Sequence, residues 1–281
     1  MARYHELGHY REKLDDIHGI MHSMKTLAQM ETHKLGKVTD EQHAIQQQIN
    51  AVACDFLHFY RNNLPQYQGN QKTVLLIGSE RGFCGDFNPK IIETFEQQFS
   101  AERSTIQMIA IGNKLVSLLE SKALAASKPH FLPGANVCEE VGNLSERLIK
   151  TLTDLQTSDE LYAVYHAYPE ETIQVEQLLP AFTDHAELNC PQSLPSHEPL
   201  LNLSNQAFML ELTDHALLHN LHHILYDSLM AENLQRVRHL ENATRHLEQK
   251  SETLRKRMNV LRQEEIIEEI EVILLNQVDP R

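Results

Sequence analysis

The sequence predicts an α/β protein. The two ends of the chain form a long antiparallel two-helix coiled coil, and a three-layer α/β domain is inserted between them. Three observations predict this. Residues 205–277 contain neither Pro nor Gly. The opening of the chain carries apolar residues at heptad spacing. Between these ends, short apolar runs of strand type alternate with stretches of helical period.

The first segment, residues 1–62, reads as a helix with one apolar edge. Leu14, Ile17, Met21, Met24, Ala28, Glu31, Leu35, Val38, Gln42, Ile45, Ile49, Val52, Phe56 and Phe59 alternate spacings of three and four. That is the period of a coiled-coil seam, and only Glu31 and Gln42 break its apolar character. Gly19 and Gly36 each weaken an interior helix position by about 1 kcal/mol.

The inserted domain spans residues 70–200. Asn62 to Asn70, with Pro65 and Gly69, reads as a loop. Thr73 to Gly78 is a buried strand, and Ser79 to Asn88 a glycine-bearing turn. Pro89 to Phe99 is a helix with its proline in the first turn, where a missing N–H costs nothing. Ile106 to Ile111 and Leu161 to Ala167 read as further strands, Asn113 to Ser121 and Val137 to Leu155 as further helices. Pro129, Pro133 and Gly134 mark a loop. Thr172 to Leu179 suits an edge strand. Alternating strand and helix favours a parallel sheet covered on its faces. Cys190 to Pro199, with three prolines, leads into the last helix.

That helix, 205–277, would run about 110 Å. A compact globule of this chain length is roughly 50 Å across, so the helix is expected to protrude. Leu240, Leu247, Leu254 and Leu261 recur every seven residues, with Val237, Thr244, Ser251 and Met258 between them. This seam needs a partner, and the first segment supplies one. Each fully buried seam side chain contributes about 1.5–3 kcal/mol. The longer helix then overshoots the shorter by about 25–30 Å. The overshoot, Arg262 to Leu275, is rich in Ile, Val and Leu and suggests a socket on another protein.

Composition removes several classes of function. A net charge of −14 argues against nucleic acid and against adhesion to an anionic membrane. No apolar run is long enough for a transmembrane helix, and the N-terminus lacks the pattern of a signal peptide. The four cysteines (Cys54, Cys84, Cys138, Cys190) have no metal-type pairing and read as reduced thiols of a cytoplasmic protein.

Two features invite chemistry. The turn Gly82-Phe-Cys-Gly-Asp86 could present Cys84 as a nucleophile or cradle a phosphate. Its glycine spacing fits neither a Walker loop nor a dinucleotide fingerprint, and Asp86 would repel phosphate. The turn reads as structural. His215, His219, His222 and His223 crowd one helix stretch, with pairs at i, i+4 spacing that can bind a metal. No HExxH frame accompanies them, and a change of surface charge near pH 6 is the better reading.

Four blocks carry a family resemblance: Arg81-Gly-Phe-Cys-Gly-Asp-Phe-Asn88, Gln177-Leu-Leu-Pro180, Ala231-Glu-Asn-Leu-Gln-Arg-Val-Arg-His-Leu-Glu-Asn-Ala-Thr244 and Asn259-Val-Leu-Arg-Gln-Glu-Glu-Ile-Ile-Glu-Glu-Ile270. Together they resemble the gamma subunit of F-type ATP synthases, in that family's order and spacing over nearly the whole chain. The resemblance implies a central rotor shaft with no catalytic site, cofactor or metal of its own. Its partners would be alpha and beta subunits around the shaft, with an epsilon subunit and a ring of c subunits beside a Rossmann-like foot. It implies a peripheral place on the cytoplasmic face of a bacterial inner membrane.

By motif, Arg262 and Gln263 match positions that touch the moving loops of the beta subunits. Glu232 and Arg236 match polar shaft positions near them, and Glu198 falls in a foot loop against the c ring. The chain departs from the family in several places. The basic N-terminal stretch lacks a clear form, Ser23-Met-Lys-Thr-Leu27 aligning with it in two registers, Glu31 stands at a small or apolar position, Asp86 replaces Gly, and Ile267 replaces Thr. From Arg262 on, two arginines face five glutamates and one aspartate. These departures mark a divergent branch. The competing readings are a stand-alone coiled-coil adaptor and an α/β enzyme using Cys84.

Overall fold

The computed structural model describes residues 2–60, 71–100, 105–122, 129–155, 160–170, 172–182 and 197–277. It contains helix α1 (Ala2–Tyr60), strand β1 (Lys72–Ile77), α2 (Phe87–Phe99), β2 (Gln107–Ile111), α3 (Asn113–Ser121) and β3 (His130–Leu132). A 3₁₀ turn (Cys138–Glu140), α4 (Val141–Asp154), β4 (Glu160–His166), β5 (Ile173–Leu179) and α5 (Asn205–Gln277) follow. By packing, the chain divides into two units: Met1–Gln29 with Arg236–Arg281, and Met30–Gln235.

The first unit is a two-helix pair. Gly8 lies opposite Met258, the Ser251 hydroxyl donates to Asp15 at 3.0 Å, and His18 Nε2 is 3.1 Å from Glu248. Contacts that rise along α1 fall along α5, so the helices run antiparallel. The buried seam is Leu14, Ala28, Leu240, Thr244 and Leu254, with Leu247, Ser251, Met258 and Leu261 half-buried. The seven-residue pattern on α5 is thus the packed edge. Lys250 sits over the Tyr10 ring at 5.5 Å.

On α1 the heptad reading needs correction. Ile17, Ile45 and Val52 are exposed, whereas Thr39, outside the series, is buried. Further along, Ala53, Leu57 and Tyr60 are buried although none is a seam position. A straight helix at 3.6 residues per turn drifts about 20° per heptad against a strict repeat of seven. Over a helix of 59 residues the buried face therefore leaves the original stripe.

The second unit is built on a five-stranded sheet of order β3-β2-β1-β4-β5. β1, β2, β3 and β4 pair in parallel, while β5 pairs antiparallel to β4. β3 lies where a plain loop is expected, and the edge strand makes the sheet mixed. Side chains alternate across the sheet. Leu75 and Ile77 join a core with α4 and the α5 residues Leu221, Ile224, Leu225, Leu229 and Met230, to which Leu35 of α1 also belongs. Val74 and Leu76 face the other way, against Phe87, Ile91 and Phe95 of α2 and Leu115 and Leu119 of α3. Both faces are covered, as an almost uninterrupted apolar strand requires.

A third, smaller core ties the last turns of α1 to the first turns of α5. Phe56 and Phe208 meet at 4.8 Å between ring centres, with Ala53, Leu57 and Leu212 around them. Cys54 belongs to this cluster and is disulfide-bonded, whereas Cys84 and Cys138 are free thiols. The expectation of four reduced cysteines therefore fails at Cys54. Spacing along the chain does not show which Cβ atoms meet in space. The loops expected at 62–70 and 190–196 fall outside the described residues.

Candidate functional site

The carboxyl ends of the parallel strands are where an open α/β sheet binds ligands, with an anion on a helix N-terminus. In this chain an acidic side chain ties the turns at that crevice to one another. Glu80, in the turn after β1, sends its carboxylate to the start of α3. It accepts the backbone N–H of Asn113 at 3.0 Å and of Gly134 at 2.7 Å, together with the Asn113 side-chain amide. One internal anion thus ties together the turns that follow β1, β2 and β3. Gly112 makes the approach possible: its φ is +104°, and a Cβ there would stand 2.6 Å from the Gly78 carbonyl oxygen.

Beside it, Phe87 and His166 stack at 3.9 Å, and His166 Nε2 is 3.0 Å from the Phe87 carbonyl. Burial keeps this imidazole below the usual histidine range. Asn88 completes the turn, accepting from Ser79 N at 2.9 Å and donating to Ser79 Oγ at 2.9 Å. Asp86 stands at the entry to α2, and its hydrogen bond with Lys90 holds its carboxyl below the usual range. Both helix starts therefore already face a carboxylate, and a phosphate would meet repulsion at each.

Cys84 is buried in the α2 and α3 core, its Sγ shared between the Arg81 and Gly82 carbonyls at 3.5 and 3.4 Å. A thiol held in this way is a packing group. Two histidines of α5 serve the interior too, whereas His215 is exposed. His222 Nε2 lies 2.7 Å from Ser145 Oγ, joining α5 to α4. His219 is buried, and burial lowers the basicity of both His219 and His222. Among the described residues no group of three or more His, Cys, Asp or Glu side chains is placed to hold a metal ion.

The residues singled out by motif fall into three settings. Glu232 and Arg236 lie one turn apart on α5 and are both buried, at 4% and 5% exposure. Arg262 and Gln263 are exposed. Beyond them Ile266, Ile267, Ile270, Val272, Ile273 and Leu274 are each about half exposed. Glu198 is exposed just ahead of α5, beside Pro199, whose carbonyl accepts the Tyr60 hydroxyl. Tyr60 is a residue that motif reasoning missed. So is Lys34, which bridges Glu31 of α1 and Glu139 at 3.4 and 3.1 Å. The one signal for that bridge was Glu31, an acid inside an apolar series.

Comparison with known proteins decides the family. The family model described as ATP synthase matches residues 6–275. This chain belongs to the ATP synthase gamma-chain family. Relatives named ATP synthase gamma chain include one from Aliarcobacter butzleri, 25% identical over 73% of this chain and 72% of its own length. Another, from a Sulfurovum species, is 23% identical over 85% and 82%. Among solved structures, a chain of the Euglena gracilis mitochondrial ATP synthase, imaged as OSCP/F1/c-ring, superposes with a TM-score of 0.68 at 13% identity. It is matched over 98% of this chain and 94% of its own, a likeness of fold. The family makes this chain a non-catalytic rotor subunit of an ATP synthase, peripheral to the membrane. No helix among the described residues is long and apolar enough to cross one.

Proposed function

We propose that this chain is the central shaft of a rotary ATP synthase at the cytoplasmic face of a bacterial inner membrane. In this reading the end segments, 1–62 and 205–277, turn inside a ring of alternating alpha and beta subunits. The inserted segment, 70–200, forms the foot beside an epsilon subunit and a ring of c subunits. The shaft makes and breaks no covalent bond. Its asymmetry holds the three beta sites in different states, so rotation couples ion flow to ATP synthesis or hydrolysis.

The observation that carries this reading is the family match over residues 6–275, together with helices of 59 and 73 residues that precede and follow the sheet in the chain. The exposed tip supports roles for Arg262 and Gln263 at the beta subunits, and Glu232 and Arg236, matched by motif, are the proposed polar shaft contacts near them. Glu198, exposed next to Pro199, suits a contact at the c ring.

Native mass spectrometry of the tagged chain, purified in gentle detergent, tests the assignment. One copy with three alpha and three beta subunits is the expected stoichiometry. A homodimer, or a monomer free of ATPase subunits, would overturn it.

A further inference from the structure

Beyond Gln263, the last turns of α5 carry an apolar arc bordered by acids. Ile266, Ile267, Ile270, Ile273 and Leu274 are each 47–56% exposed. At about 100° of turn per residue they share an arc about 120° wide. Of the exposed apolar residues in these turns, only Val272 lies outside it. Glu264, Glu268 and Glu271 follow one margin of the arc at i, i+4 and i+7, and Glu269 stands at the other margin. All four acids are exposed. Glu264 and Glu268 are one turn apart, as are Glu268 and Glu271, a spacing at which like charges weaken a helix. No Lys or Arg lies between Gln263 and Leu274 to offset that cost.

We infer, resting on the reading of the chain as a shaft inside a ring of alpha and beta subunits, that the tip seats in a groove with an apolar floor and Lys or Arg side chains along both lips. Charge complementarity selects this occupant. An amphipathic helix lying on a surface turns its acids to water, but a helix enclosed by a ring has no solvated side. Each carboxylate taken out of water needs a cation or several hydrogen bonds to stay ionised. An apolar floor alone would cover Ile270 and strand the glutamates at its margins. A second copy of the chain would set acid against acid, and an anionic membrane would repel the same margins.

The two parts of the tip then act differently. The apolar arc supplies most of the hold. The acids guide the approach of the shaft and fix which side of the tip meets which wall. A ring without basic lips leaves the glutamates unpaired, so the tip favours its own alpha and beta subunits over those of another assembly.

Assembly of the full-length chain with alpha and beta subunits from the same cells tests this, followed by analytical ultracentrifugation in sodium chloride from about 50 to about 500 mM. The unmodified chain should lose roughly tenfold in affinity across that range. The combined variant Glu264→Gln, Glu268→Gln, Glu269→Gln and Glu271→Gln should bind several-fold more weakly at low salt and respond less steeply to salt. Changing the same four to Lys should weaken low-salt assembly further still. All four side chains are exposed, so these variants fold as the unmodified chain does. A salt response unchanged by Gln, or equal low-salt affinity for the Gln and Lys variants, overturns the basic lips and leaves the rotor assignment standing. Failure of the unmodified chain to assemble at any salt overturns the rotor assignment and the groove with it. A homodimer of the chain alone that Ile270→Ser dissolves would show that a second copy covers the arc, and would equally overturn the groove.

Discussion

Tyr60 and Pro199 meet across 139 residues of chain: the Tyr60 hydroxyl donates to the Pro199 carbonyl at 3.3 Å. This bond joins the last turn of α1 to the segment that leads into α5. The neighbouring Glu198 carboxylate also engages the hydroxyl. Burial first, and that carboxylate second, push ionisation of the phenol above its ordinary range. The position of Glu198 therefore depends on a residue at the far end of another element. Tyr60→Phe should leave the sheet intact and loosen this segment. Amide exchange of residues 197–203 should rise several-fold while β1 stays protected; unchanged exchange would show that the bond does not hold the loop.

Glu80 accepts the backbone N–H groups of Asn113 and Gly134. A hydrogen bond to a charged group is worth about 1.5–3 kcal/mol, and of the donors left behind the Gly134 N–H would lie partly buried while Asn113 is exposed. Glu80→Ala should therefore destabilise the protein by about 2–3 kcal/mol in urea unfolding, and Glu80→Gln by less. A loss below about 0.5 kcal/mol would mean that water replaces the carboxylate without penalty.

Gly78 and Gly112 bring the turns after β1 and β2 together. A Cβ on Gly78 would stand 2.4 Å from Leu115 Cβ, and one on Gly112 would meet the Gly78 backbone at a positive φ. Neither neighbour is a flexible chain end. Each Gly→Ala change should cost more than about 2 kcal/mol. Gly19→Ala meets open space and should raise stability by about 0.5–1 kcal/mol, giving a control of opposite sign. Equal effects at all three positions would contradict the packing.

His166, His219 and His222 are held neutral, burial being the leading cause at each. A histidine with lowered basicity in the folded state stabilises above the unfolded value of about 6.5. That contribution is lost as pH falls through the folded value. Asp227 acts in the opposite sense, its contribution being lost as pH rises towards about 7. The two trends oppose each other below about pH 7, so they are separated in variants: Asp227→Asn should steepen the fall of the urea midpoint on acidification towards pH 5. His166→Gln should shallow the acid limb, and an equally steep limb in that variant would exclude His166 as a source.

Arg262 and Gln263 are exposed, so their loss should be felt in function and hardly at all in folding. Replacing both by Ala should leave the urea midpoint within the error of measurement. Coupled ATP synthesis in the assembled complex should fall roughly twofold to tenfold, the equivalent of one or two lost hydrogen bonds of about 0.5–1.5 kcal/mol. Truncation after Leu261, which also removes the apolar tip, should cost more. Full synthesis by the truncated shaft would refute the assignment of the tip.

Much of this molecule is written in local pattern. The leucines from Leu240 to Leu261 recur at a spacing that only a helix packed along one edge can use, and the buried positions in that edge are the ones the spacing names. The strands β1, β2 and β4 are legible because an apolar run too short for a helix must lie inside a sheet covered on both faces. The motif blocks pointed to the family for a related reason: side chains that pack along a shaft recur at a set spacing.

What lies between distant residues was not legible. β3 has only three residues, too few for a period to show. The direction of β5 depends on how the turn before it folds back. Along α1 the buried face rotates away from the heptad stripe, because the mismatch between 3.6 and 3.5 residues per turn accumulates with length and only packing reveals its sum. Glu80 looks like an ordinary turn acid until three strand ends converge on it, and Asp227 like a surface residue of a polar helix until β4 and β5 close over it. The sequence by itself determined the kind of each long element, the apolar edge of α5 and the family. Tertiary structure alone decided which charges are buried, because burial belongs to the surroundings a residue acquires and not to the residue.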